Sequence, residues 1–256
     1  MVRRPEKLTR LDLLMLEKGL AESRNVARSL VMTGRVTVNG QIIRKAGHKF
    51  SRDSEIGVSG PEHPYVGRGG MKLEHALRHF SLNVEGLTCM DVGSSTGGFT
   101  DCLLQNGADR VFAVDVGYGQ LDWRLRNDNR VVVLERTNVR YLTQESVGEK
   151  LDLVTIDTSF ISLKLVVPAV LRHLKPHGEI IALVKPQFEA GRGRAGKKGI
   201  VRDPEVHRQV LEDLQDFFTV DLGMDVAGTT PSPVLGAKGN REFIMLIRLS
   251  KQLNIV

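Results

Sequence analysis

The chain has 256 residues, 41% hydrophobic and 26% charged, a globular composition long enough to bury a core without staples. Only two cysteines occur, Cys89 and Cys102, with no CxxC pair, and no apolar run approaches the ~18 residues of a membrane span. No disulfide framework, zinc knuckle or membrane insertion is therefore expected, and the start MVRRPEKLTRLD lacks the apolar core of a secretory signal, so a reducing, cytoplasmic setting fits.

The charge is unevenly placed. Residues 1–60 hold 12 Lys and Arg against 6 Asp and Glu, a net +6, which is also the net charge of the whole chain. The remaining residues are thus neutral overall. A basic module joined to a neutral one points to a polyanionic partner for the first segment.

In chain order, TRLDLLMLEKGL over 9–20 has apolar residues at helical spacing, with Thr9 placed to cap a short helix. A second helix is expected from Ser23, with Val26, Ala27, Leu30 and Val31 on one face and Arg24 and Arg28 together on the other. Gly34 is its expected stop. Val36 and Val38 alternate, Asn39-Gly40 is a two-residue hairpin turn, and Ile42-Ile43 return. The run SRNVARSLVMTGRVTVNGQIIRKAGHKF resembles the S4 domain, a small α+β RNA-binding module. The resemblance implies binding of structured RNA by shape and phosphate contact, with Arg24, Arg28, Arg35, Lys45 and Lys49 near phosphate. It names a partner class and not a chemistry.

Residues 60–70, GPEHPYVGRGG, read as a linker. The helical run MKLEHALRHFSL follows. Its His75 and His79 lie four apart but have no third ligand pattern, so they read as helix-surface histidines and no metal is expected. Strand-like runs LTCMDVG, RVFAVDVG, RVVVLER, LDLVTID and EIIALVK then alternate with helical segments, which argues for a doubly wound parallel sheet. DVAGTTPSP and EFIMLIRLS, with no crossover helix between them, form a final antiparallel pair. This order resembles that of class I methyltransferases, which implies an antiparallel last strand.

The first strand runs into Asp91-Val92-Gly93-Ser94-Ser95-Thr96-Gly97-Gly98-Phe99-Thr100, which is not GxGxxG and so misses the dinucleotide fingerprint. Glycines here let the backbone approach a ligand at the strand ends. Asp115 ends the second strand, where a carboxylate can accept both ribose hydroxyls of an adenosine cofactor; the combination favours S-adenosylmethionine over NAD. Asp157, Lys185 and Glu242 also sit at strand ends that converge on one crevice, and Lys72 reaches them if its helix crosses the front of the sheet.

Together with RGGMKLEHAL, VDVGYGQLDWRLRNDNRV, ERTNVR, DLVTIDTSFISL, LVKPQFE and KGNREF, these segments resemble the TlyA (hemolysin A) family: an S4 domain over 1–60, a linker over 61–70 and an FtsJ-like methyltransferase domain over 71–256. The resemblance implies 2′-O-methylation of cytidine in ribosomal RNA or ribosomal subunits. It implies a catalytic tetrad at Lys72, Asp157, Lys185 and Glu242. Cofactor contacts are implied at Asp91, Gly93, Ser94, Ser95, Thr96, Gly97, Gly98, Phe99, Asp115, Val116 and Asn138. The reaction is an in-line displacement in which positioning matters most. The attacking hydroxyl loses a proton, for which Lys185 is the expected base, oriented by Asp157, with Lys72 and Glu242 holding the ribose and the tetrad.

The rival readings are a pseudouridine synthase, which needs no glycine-rich strand–turn–helix, and an RNA-binding protein on a methyltransferase fold with hemolysin-like, membrane-lytic activity. The glycine-rich, basic stretch 191–203 reads as a mobile RNA-facing loop or a plain solvated one.

Overall fold

The computed structural model describes residues 8–32, 34–60, 63–191 and 199–250. The chain divides into two compact units, Met1–Pro64 and Tyr65–Val256. Residues 192–198, most of the basic stretch read above as a loop, lie outside the described residues.

The first unit runs β1 (Thr9–Arg10), α1 (Leu11–Glu17), α2 (Arg24–Met32), β2 (Val36–Val38), β3 (Gln41–Ile43), β4 (Lys49–Phe50) and β5 (Ile56–Val58). Thr9 does not cap α1. It pairs with Phe50 in a two-stranded ribbon. The amides of Leu11 and Asp12 donate instead to the carbonyls of His48 and Ala46. Backbone oxygens thus satisfy the donors that a cap would have served. Ser23 does act at the start of α2, its hydroxyl accepting from the Val26 amide at 3.3 Å. Asn39 and Gly40 have φ of 49° and 78°, the left-handed pair that a tight hairpin between β2 and β3 requires. β5 completes a three-stranded sheet in the order β3-β2-β5. Leu11, Met15, Ala27, Val31 and Val36 are fully buried beneath it.

The second unit opens on α3 (Gly69–His79), which begins inside the last two residues of the stretch that reads as linker. Alternation follows through β6 (Thr88–Val92), α4 (Gly98–Gln105), β7 (Arg110–Val114), α5 (Trp123–Arg126), β8 (Val131–Leu134), α6 (Gln144–Val147), β9 (Leu151–Ile156), α7 (Leu163–Leu171), β10 (Leu174–Val184) and α8 (Pro186–Glu189). α9 (Pro204–Asp216), β11 (Met224–Pro231) and β12 (Phe243–Leu249) close the unit. The seven strands lie in the order β11-β12-β10-β9-β6-β7-β8. β12 is antiparallel to both its neighbours, β10 and β11. The reversed strand is therefore second from the edge, and β11 forms the edge itself. Both faces of the sheet are covered, and the buried strand residues read as near-continuous apolar runs, as a doubly wound sheet demands. Each fully buried Leu or Ile in these clusters contributes about 1.5–3 kcal/mol relative to exposure.

Candidate active site

Register brings the polar strand ends together. Ile156 of β9 faces Ala182 of β10, and Val184 of β10 faces Phe243 of β12. Asp157, Lys185 and Glu242 each lie one residue outside those strands, at the same end of the sheet. Because β12 runs backwards, its first residues reach the place where β10 ends. α3 delivers the fourth group. Its Leu73 and Ala76 are fully buried, and it packs closely on α4: a Cβ at Gly98 would stand 3.0 Å from the Gly70 nitrogen and 3.1 Å from the Gly67 oxygen. Only glycines allow that approach.

The four groups form two linked pairs. Lys72 Nζ is 2.6 Å from Glu242 Oε2, and Lys185 Nζ is 2.5 Å from Asp157 Oδ1. Lys72 also stands 3.9 Å from Asp157 Oδ2, joining the pairs into one chain of alternating charge. Lys72, Lys185 and Glu242 are all buried, at 9%, 7% and 4% exposure, so each charge depends on its partner. Gly236 lies against the Glu242 carboxylate with no room for a side chain.

A cavity of about 240 Å³ opens beside this chain. Lys72 and Asp157 face it, together with Asp91, Gly93 and Ser94 to Thr96 of the glycine-rich loop, and Gly98 and Phe99 at the start of α4. Asp91 is fully buried. Its Oδ2 accepts from the amide and hydroxyl of Thr100 at 3.0 and 2.7 Å, while its Oδ1 has no hydrogen-bond partner among the described residues. Burial pushes the Asp91 carboxyl up to about 7, and the negative charges of Asp157 and Asp115 add to the rise while Thr100 opposes it.

Gly97, Asp115, Val116 and Asn138 do not line the cavity. Gly97 has a φ of 95° at the N-cap of α4 and packs against Leu121 and Leu125. The Asp115 carboxylate accepts from the Ser95 amide at 2.8 Å and the Gly117 amide at 2.6 Å, which ties it to the loop. Val116 is 72% exposed beside it. Asn138 accepts from the Arg140 amide at 3.1 Å, and the preceding Thr137 amide donates to the Asp115 carbonyl at 2.9 Å. These residues therefore flank Asp115.

The first unit sorts its basic residues. Arg28, Lys45 and Lys49 are exposed. Arg35 donates to the Ser59 carbonyl from Nε and Nη2 at 3.2 and 3.1 Å. Arg24 is engaged by Asp12, a fully buried carboxylate that it shares with Arg10, at 3.1 and 2.9 Å. On α3, His75 and His79 stack with ring centroids 5.8 Å apart, and His75 Nε2 lies 3.3 Å from the Thr230 hydroxyl.

Sequence reasoning missed several lining groups. Arg68, Val234, Leu235 and Gly236 border the cavity. The run RGG directly before α3 was a usable signal for the first, since paired glycines before a helix mark close backbone packing; nothing local marks the other three. Ser159, whose hydroxyl accepts from Lys185 at 3.1 Å, was also missed.

Comparison with known proteins agrees with this architecture. Residues 65–249 match the FtsJ-like methyltransferase model, and residues 9–56 match the S4 domain model. The Bacillus subtilis protein YqxC, provisionally named an rRNA methyltransferase, is 50% identical across 93% of this chain and 85% of its own length. The 16S/23S rRNA (cytidine-2′-O)-methyltransferase TlyA of Mycobacterium tuberculosis is 44% identical across 93% of this chain and 89% of its own. A solved structure from Streptococcus thermophilus, carrying the provisional name hemolysin, superposes with a TM-score of 0.74 at 44% identity, covering 95% of this chain and 89% of that one. The chain thus belongs to the FtsJ-like methyltransferases, in the S4-bearing group that includes TlyA. Among the described residues no helix is long and apolar enough to cross a membrane.

Proposed function

We propose that this enzyme transfers a methyl group from S-adenosylmethionine to the 2′-hydroxyl of a cytidine ribose in ribosomal RNA, in the cytoplasm. The observation that carries the reading is the Lys72–Glu242 and Lys185–Asp157 chain, 2.6 and 2.5 Å within its pairs, at the edge of the cavity under the glycine-rich loop.

The residues present suit the cofactor. Asp91 keeps one oxygen without a partner among the described residues beside the cavity it lines, an acceptor for a hydrogen-donating group. Asp115, anchored by two backbone amides, is the candidate for the ribose hydroxyls, with Val116 and Asn138 flanking the adenine side. S-adenosylmethionine supplies an electrophilic methyl on a sulfonium. This chain's own residues supply the rest. Lys185, as the free amine, takes the proton from the attacking hydroxyl. Asp157 holds Lys185 in place and then stabilises the ammonium that forms. Lys72, fixed by Glu242, places a positive charge beside Asp157 and holds the acceptor ribose. The first unit supplies RNA affinity through Arg28, Lys45 and Lys49, with Arg24 and Arg35 engaged inside the module.

The test is transfer of labelled methyl from S-adenosylmethionine to ribosomal RNA. Incorporation at a cytidine 2′-oxygen by the intact protein, and none by Lys185→Ala although it still binds the cofactor, is the expected result. Full activity in Lys185→Ala would remove the proposed base.

A further inference from the structure

Ser159 stands two residues past Asp157, in the turn that leaves β9, and its side chain is exposed. Its Oγ accepts from Lys185 Nζ at 3.1 Å while Asp157 Oδ1 takes a second Nζ contact at 2.5 Å. The turn holding both acceptors is braced on two sides. A Cβ at Gly93 would lie 2.7 Å from the Asp157 carbonyl oxygen and 3.3 Å from the Thr158 Cα. On the other side Phe160 adopts a φ of 63°, costly for a bulky side chain. Its ring meets Phe188 at 4.9 Å, and the Phe188 amide donates to the Lys185 carbonyl at 2.9 Å. The strained turn is thus held against the segment that carries the lysine.

The chemistry of a neutral amine gives this arrangement a meaning. Such an amine has two N–H bonds and one lone pair. A single acceptor leaves the amine free to rotate about Cε–Nζ, so the lone pair sweeps a cone. Two fixed acceptors occupy both N–H bonds and leave one tetrahedral direction for the lone pair. Resting on the assignment of Lys185 as base, the geometry points to Ser159 as a positioning residue: with Asp157 it locks the Lys185 amine so that its lone pair faces the acceptor hydroxyl. Ser159 does not take the proton itself. Its loss removes one neutral hydrogen bond and the orientation that the bond imposes.

The experiment compares Ser159→Ala, Ser159→Thr and Lys185→Ala under saturating S-adenosylmethionine, with ribosomal RNA varied and cofactor affinity measured by calorimetry. Ser159→Ala should lower kcat about tenfold, the equivalent of one neutral hydrogen bond, with the KM for RNA and the cofactor Kd unchanged. Ser159→Thr, which keeps the acceptor at an exposed position, should recover most of the rate. Wild-type kcat in Ser159→Ala overturns the inference. So does an effect confined to KM, which would make the hydroxyl an RNA contact, a loss as complete as that of Lys185→Ala, which would make it a proton relay, or a threonine variant no better than alanine. Methylation by Lys185→Ala would instead sink the base assignment, a result separable from all of these.

Discussion

Each unit of this protein gathers charge around carboxylates, fully buried at Asp12, nearly so at Glu242 and partly exposed at Asp157, and the two clusters are built from different cations. In the first unit, Asp12 is fully buried and holds the guanidinium groups of Arg10 and Arg24. In the second, Asp157 and Glu242 hold Lys185 and Lys72. Arginine stays protonated throughout the working range and offers a rigid fork, so the Asp12 cluster is a permanent fastening. Lysine can give up its proton, so the second cluster can take part in a reaction. The electrostatics of Asp12 agree with a fastening: the hydrogen bonds from Arg10, with Arg24 adding, hold its carboxyl down to about 2 despite burial. Asp91, equally buried but served only by the Thr100 amide and hydroxyl, goes the other way, to about 7. Burial alone does not set the sign; the charge of the partner does.

The sharpest way to break this comparison is to exchange the cations. Lys185→Arg keeps the charge beside Asp157 but cannot act as a base, and methyl transfer should fall a hundredfold or more, on the order of a general base's contribution. The reverse exchange, Arg24→Lys, should leave methylation intact and cost stability no more than about 1 kcal/mol. Ribosomal RNA methylation assays on both variants decide it, and an active Lys185→Arg protein would erase the distinction.

Next in size is the opposite pH response of the two buried aspartates. Asp91 has a raised folded-state pKa, so the folded protein keeps a proton that the unfolded chain releases between about pH 4 and 7. Its contribution to stability is fully present below about pH 4 and is lost as pH rises to 7. Asp91→Asn should therefore gain on the wild type across that window, by on the order of 2–4 kcal/mol at pH 8 relative to pH 4. Urea melts at the two pH values measure this, and a gap that does not widen would contradict the raised value. For Asp12 the sign reverses. Its folded-state pKa is depressed, so it stabilises above about pH 4 and the gain is lost as pH falls toward 2. Asp12→Asn should cost about 1–2 kcal/mol at neutral pH, a charged hydrogen bond discounted for the half-exposed arginines, and the deficit should shrink in acid.

The smallest effect sharpens the comparison within the first unit. If Arg28, Lys45 and Lys49 face RNA phosphate while Arg24 is fastened to Asp12, alanine at each of the first three should reduce the slope of log affinity against log salt by about one. Arg24→Ala should change stability more than that slope. Titrations of ribosomal RNA at several salt concentrations, beside thermal melts, separate the two outcomes.

The doubly wound sheet, the glycine-rich turn and the strand-end positions of Asp157, Lys185 and Glu242 were legible in the sequence, because apolar runs of strand length and a chain-order alternation carry that information directly. Other features depend on which distant segments meet. Thr9 reads as a cap, yet His48 and Ala46 supply the carbonyls that replace it. The final antiparallel pair is read from the missing crossover, but its place in the sheet is not: β12 lies inside, between β10 and β11, and leaves β11 at the edge. Arg24 reads as a phosphate ligand, and only the fold shows Asp12 beneath it. Ser159 follows an aspartate in an ordinary turn sequence, and its meeting with Lys185, 26 residues on, is a product of strand register.

Gly93, with a φ of 86°, has no room for even a methyl group, because the carbonyl of Asp157 occupies that space. The glycine-rich turn proposed for the donor and the turn carrying the proposed acceptor-side aspartate are therefore one wall seen from its two sides. Change in either cannot be absorbed locally. A descendant of this enzyme could acquire a new RNA target by altering its outlying basic surfaces, but a new donor would require both turns to be rebuilt at once. Such a constraint predicts a lineage free in its choice of target and conservative in its choice of donor.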